Sequence, residues 1–172
     1  MTPEEMVYKA IEMEEKGREF YKDAAKQSKN VMTKRTFEYL AQDEIFHIEN
    51  LKKYYTAMRE KSALPDFSLE KAREKRGSDF TIFSEKVAAL NEKEKEAATD
   101  KKAYEFAMDF ENSGYKYYES MLAEAKEETI AGLLKFLLQE ETRHHDLLQS
   151  TYTFLTDPEN WFMREEGGFP QG

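Results

Sequence analysis

The chain has 172 residues, enough for one domain with a proper core, and its 35% charged residues with only seven Gly and four Pro suit long amphipathic helices. A formal charge of −9 argues against nucleic acid or an anionic membrane surface as a partner, and the lack of cysteine excludes disulfides, thiolate metal sites and a rubredoxin-type centre on this chain. There is no basic start followed by an apolar core and no apolar run of membrane-spanning length, so a cytoplasmic location is the expectation.

A first helix is signalled by Thr2 as N-cap, Pro3 at the first helical position and Glu5 completing a capping box. Val7, Ala10, Glu14, Gly17, Tyr21 and Ala24 then recur at steps of three and four, one helical face with Glu14 in its middle. The polar run Lys26 to Asn30 reads as a turn. A second helix carries Phe37, Leu40, Glu44, His47 and Leu51 on one stripe, again with polar residues where core belongs. These two helices form a hairpin over about 3–60. A connection over 62–99 follows, with Pro65, Gly77 and a dense charge run; Phe80, Phe83, Val87 and Leu90 predict a short packed helix inside it. Thr99 or Asp100 is placed to cap a third helix, whose stripe is Tyr104, Ala107, Glu111, Gly114, Tyr118 and Met121. After a turn near Glu128, a fourth helix aligns Leu134, Leu137, Glu141, His144 and Leu148, closing a second hairpin over 100–156. The tail over 157–172, with Trp161 and Phe162, is expected to fold back on the bundle before fraying at "GGFPQG".

The two hairpins are the same sequence pattern twice. A shift of 97 positions takes Glu14 to Glu111, Gly17 to Gly114 and Tyr21 to Tyr118; it also takes Leu40 to Leu137, Gln42 to Gln139, Glu44 to Glu141, His47 to His144 and Leu51 to Leu148, with no gap. The repeated polar positions are those that interrupt the apolar stripes. Of the three histidines, two therefore lie three residues after a repeated glutamate. His145 lies about a hundred degrees around the helix from His144 and reads as exposed or as an outer contact.

One Glu-x-x-His on a charged helix is ordinarily a solvated face. Four carboxylates facing one another in a bundle core are different, because each would cost several kcal/mol without counter-charge. No lysine or arginine occupies the four stripes. Two divalent cations would balance the four glutamates, and Glu with His one turn on projects both ligands to one side of a helix. Protons shared among the carboxylates of a metal-free bundle are the alternative.

The halves "AIEMEEKGREFY…LAQDEIFHIENL" and "AMDFENSGYKYY…LLQEETRHHDLL" resemble the rubrerythrin branch of the ferritin-like di-iron carboxylate proteins across all four helices and the connection. The resemblance implies an all-α, ferritin-like four-helix bundle of two duplicated hairpins joined by a long crossover, forming one domain over 1–156. It implies two iron ions per bundle, with manganese or zinc as substitutes. Glu14 and Glu111 match the single-ligand helices, Glu44 and Glu141 the carboxylates that bridge or cap the metals, and His47 and His144 the one imidazole per metal. Tyr21 and Tyr118 match hydrogen-bond donors beside the site, although core packing explains them as well.

Two departures qualify the resemblance. Rubrerythrin proper has a further glutamate one turn after the third-helix ligand, where this chain has Gly114, and a cysteine-rich rubredoxin domain that has no counterpart in this sequence. The remaining six ligands are closer to those of bacterioferritin. The function implied is reduction of hydrogen peroxide in oxidative-stress defence, with a separate donor such as a rubredoxin or a flavin reductase restoring the metal. The alternatives are a ferroxidase or dioxygen-dependent site, and an iron-binding protein without turnover. Aromatic content and the tyrosines set off the stripes (Tyr54, Tyr55, Tyr117) add the expectation of a homodimer.

Overall fold

The computed structural model describes residues 1–66 and 100–166. Most of the connection, including Thr99 and the short helix expected around Phe80 to Leu90, and the end at 167–172 expected to fray lie outside the described residues. Every regular element described is helical: α1 (Pro3–Gln27), α2 (Val31–Glu60), α3 (Lys101–Glu124), α4 (Glu128–Thr156) and α5 (Pro158–Glu166). α1 packs along α2 and α3 along α4, while α2 meets α4 and α1 meets α3 across the bundle. The fold is a ferritin-like helical bundle, and none of its described helices is long and apolar enough to cross a membrane.

The helix ends follow local chemistry. Thr2 and Glu5 form the capping box, Thr2 N donating to Glu5 Oε2 at 2.7 Å and Glu5 N donating to Thr2 Oγ1 at 3.2 Å. The first turn after the break at 28–30 is capped by Asn30, whose Oδ1 accepts from Thr33 N at 2.9 Å. Asp100 stands at the N-cap of α3 without capping it; its Oδ2 instead accepts from Ser28 Oγ at 2.6 Å, tying the turn of the first hairpin to the start of the second. α5 realises the fold-back of the tail: Trp161 Nε1 donates to Ser150 Oγ at 2.8 Å and its ring meets Phe154 edge-on.

The core is split into two apolar clusters. One contains Val7, Ala10, Leu51, Tyr118, Leu134 and Leu137. The other contains Tyr104, Ala107, Leu148, Tyr21, Phe37 and Leu40, the same positions under the shift of 97. The sequence repeat is thus a pseudo-twofold relation that exchanges the two clusters, and the carboxylate layer lies on it.

Tyr54 departs from expectation. It is buried, its hydroxyl donating to Pro65 O at 2.9 Å, so it is a core residue that anchors the start of the connection. Tyr54 faces inward because the helix places it one turn beyond Leu51, on the shoulder of the same stripe. Tyr117 is only partly buried and donates to Met6 O at 3.1 Å, and Tyr55 packs on Tyr8.

Candidate metal centre

Each half supplies one long helix with a single glutamate and one with the Glu-x-x-His pair. Glu14, Glu44, Glu111 and Glu141 are all buried, and His47 and His144 are fully so. The spacing of three on α2 and α4 puts carboxylate and imidazole on one side of each helix. The four helices bring all six residues to the bundle centre, where the rings of His47 and His144 stack with centroids 5.3 Å apart.

Two three-ligand groups share this space. Glu14, Glu44 and His47 each present a ligand atom within 4.8 Å of the others, and Glu44, Glu111 and His144 do the same. Glu44 belongs to both, its Oε2 lying 3.1 Å from His47 Nδ1 and its Oε1 3.4 Å from His144 Nδ1. His47 Nδ1 also faces Glu14 Oε2 at 3.3 Å, and His144 Nδ1 faces Glu111 Oε2 at 3.4 Å. Glu141 is placed differently. Its Oε2 lies over Gly114, 2.5 Å from where a Cβ would sit there, so the missing side chain is what gives this carboxylate room.

The tyrosines cross between halves. Tyr21 Oη donates to Glu111 Oε1 and Tyr118 Oη donates to Glu14 Oε1. Burial, then the charge of Glu111, holds the Tyr21 hydroxyl protonated well above its ordinary range, and burial with Glu14 does the same for Tyr118. Each therefore remains a donor, fixing one oxygen of a single-ligand glutamate and leaving the other to point inward.

The residues fit divalent cations. Burial alone would push Glu14 up, but the hydrogen bond shared with Glu44 and the charge of His47 bring it down to about 2. Burial and the charge of Glu14 push Glu44 up to about 8, and burial and Glu111 push Glu141 well above the usual carboxylate range. Burial opposes charge on both imidazoles, yet Glu14 beside His47 and Glu111 beside His144 raise them well above the usual histidine range. Without metal, protons take the place of the missing positive charge. Even so, His144 Nδ1 and Glu111 Oε2 are buried without a hydrogen-bond partner among the described residues. Such atoms are costly unless something else satisfies them. Carboxylate oxygens with one imidazole nitrogen per position suit iron, manganese or zinc.

Three further residues of the site carry no mark in the stripes. Asp43 and Glu140, themselves related by the shift of 97, face the outer nitrogens of the imidazoles: His144 Nε2 lies 2.8 Å from Asp43 Oδ2, and His47 Nε2 lies 3.6 Å from Glu140 Oε2. Burial would raise Asp43, but the hydrogen bond and charge of His144, with His47 and Arg143 beyond, hold it below the usual carboxylate range. Arg143 Nη2 donates to Asp43 Oδ2, and to Glu140 Oε2 at 3.1 Å. The signal for Asp43 and Glu140 was their place next to a ligand glutamate in both halves; Arg143 has no counterpart, because position 46 is Phe. His145 is off the cluster, beside Asp146.

A family model described as Rubrerythrin matches residues 5–152. Comparison with curated proteins and with solved structures gives no match.

Proposed function

The chain belongs to the rubrerythrin family, and from that premise we propose that it is a di-iron carboxylate oxidoreductase that reduces hydrogen peroxide. The observation that carries the reading is the buried cluster of four glutamates and two histidines around a shared Glu44. We assign Glu14, Glu44 and His47 to one metal, Glu44, Glu111 and His144 to the other, and Glu141 as the movable sixth ligand beside Gly114. Held by these residues, a pair of ferrous ions would supply the two electrons that, with two protons, take hydrogen peroxide to two waters.

The chain's own residues prepare that chemistry. Tyr21 and Tyr118 hold the outer oxygens of Glu111 and Glu14, so the inner oxygens keep one orientation. The apolar clusters above and below exclude bulk water, which strengthens every charge interaction in the layer between them. The 172 residues hold no cysteine for an iron–sulfur or rubredoxin-type centre, so an external electron donor fits the site. A separate rubredoxin or flavin reductase is the proposed donor.

One observation favours a second reading. Gly114 places no carboxylate over the site, and the six ligands that remain are those of a ferroxidase-type centre, for which dioxygen is the oxidant. Stopped-flow mixing of the anaerobically iron-loaded protein with peroxide, and separately with dioxygen, distinguishes them. Faster oxidation by peroxide is expected; equal or faster oxidation by dioxygen would move the protein to the second reading.

A further inference from the structure

The two halves differ at several positions beside the metal ligands, and one of these differences puts a cation against both outer carboxylates. The pair Tyr39 and Arg143 occupies the positions that Phe136 and Phe46 occupy in the other half. Phe46 and Phe136 make an edge-on aromatic contact, with Phe136 also edge-on to the His47 ring. Across the pseudo-axis, Arg143 Nη1 donates to the Tyr39 hydroxyl at 2.7 Å, and its other nitrogen reaches both outer carboxylates. One guanidinium thus serves two carboxylates that symmetry would assign to two different histidines.

The consequence falls on the imidazoles unequally. His144 Nε2 is 2.8 Å from Asp43 Oδ2, a hydrogen bond that fixes the ring with Nδ1 turned to Glu44 and Glu111. His47 Nε2 is 3.6 Å from Glu140 Oε2, and has no hydrogen-bond partner among the described residues. Glu140 is drawn to Arg143 Nη2 at 3.1 Å instead. A carboxylate on the far nitrogen raises the basicity of a ligating histidine and locks its orientation, typically worth about 10–100-fold in metal affinity.

We propose that Arg143 is a positioning residue that makes the two metal positions inequivalent, the one at Glu44, Glu111 and His144 filling before the one at Glu14, Glu44 and His47. The proposal rests on the reading of the cluster as a two-metal centre. Arg143 does this by holding Glu140 away from His47, while Asp43 keeps its bond to His144. A lysine is not equivalent, because the guanidinium fixes Nη2 between the two carboxylates by anchoring Nη1 on the Tyr39 hydroxyl, and a single ammonium on a flexible stem lacks that second anchor.

Anaerobic titration with Co(II), read by calorimetry and by the visible spectrum of the bound ion, tests this. In wild type, His144→Ala should remove the tighter step and His47→Ala should leave it. With Arg143→Met and with Arg143→Lys, Glu140 is freed to His47, so the weaker step should tighten and the gap between steps narrow by about tenfold. Equal effects of the two histidine substitutions, or a gap unchanged in both arginine variants with unaltered helical circular dichroism, would overturn the inequivalence. Failure of wild type to bind Co(II) at all would instead sink the two-metal reading on which it rests.

Discussion

The two oxygens of Glu44 face different imidazoles, at 3.1 Å and 3.4 Å, whereas Glu141 is turned to the gap at Gly114. Glu44→Ala should therefore cost both metals, and Glu141→Ala should weaken binding less; metal retained after desalting, measured by elemental analysis, checks the order. Gly114→Ala puts a Cβ 2.5 Å from Glu141 Oε2, a contact relieved by swinging a flexible carboxylate. That variant should fold and change the absorption spectrum of the iron-loaded protein, and an unchanged spectrum would mean Glu141 does not contact the metals. The pH dependence follows from the raised groups. Glu44 binds its proton up to about 8 in the folded, metal-free chain and only to about 4.5 in the unfolded one, so its contribution falls as pH rises through that interval. His47 and His144 act in the same sense, their stabilisation being lost as pH rises through their raised folded values. Metal must displace these protons, so its affinity rises over the same interval. The melting temperature of the metal-free protein should fall between pH 5 and 8 while the increment added by Mn(II) grows; each ~1 kcal/mol moves it by roughly 2–4 °C. A metal-free melting temperature rising with pH would contradict the assignment.

At the scale of the helix, the stripes were legible because burial in a bundle imposes a period that sequence shows directly. Glu14, Glu44, Glu111 and Glu141 announced themselves by interrupting that period twice at one spacing. Asp43, Glu140 and Arg143 did not, because they sit beside the stripe and their role depends on which neighbour crosses the bundle to meet them. Tyr54 was misread because it was set off the stripe, although it lies one helical turn beyond Leu51 and continues the buried face, its hydroxyl reaching Pro65 O. The pseudo-twofold relation makes a prediction of its own. Leu40 and Leu137 are both wholly buried and occupy equivalent places in opposite clusters. Alanine at either should cost ~2–5 kcal/mol, and similar amounts at both, by denaturant unfolding. A large inequality would mean the two clusters are not equivalent supports of the site.

For the whole molecule, four buried glutamates make stability depend on what balances them. Binding to the folded chain alone stabilises it by mass action, ~2.7 kcal/mol at a hundredfold excess over the dissociation constant. The homodimer remains a proposal. Tyr54 no longer supports it, but Phe106 is 54% exposed and its ring lies 4.7 Å from that of Phe20, an aromatic strip along α1 and α3. Light scattering should give about twice the 20.3 kDa of one chain, and a single-chain mass at micromolar concentration would remove the proposal. The claim on which the rest depends is that the carboxylate layer is a two-metal centre. Anaerobic loading with Fe(II), desalting and metal analysis of wild type beside Glu44→Ala tests it most directly. About two irons per wild-type chain and fewer than one in the variant is the expected result; no iron retained by wild type, or two still held by the variant, would contradict it.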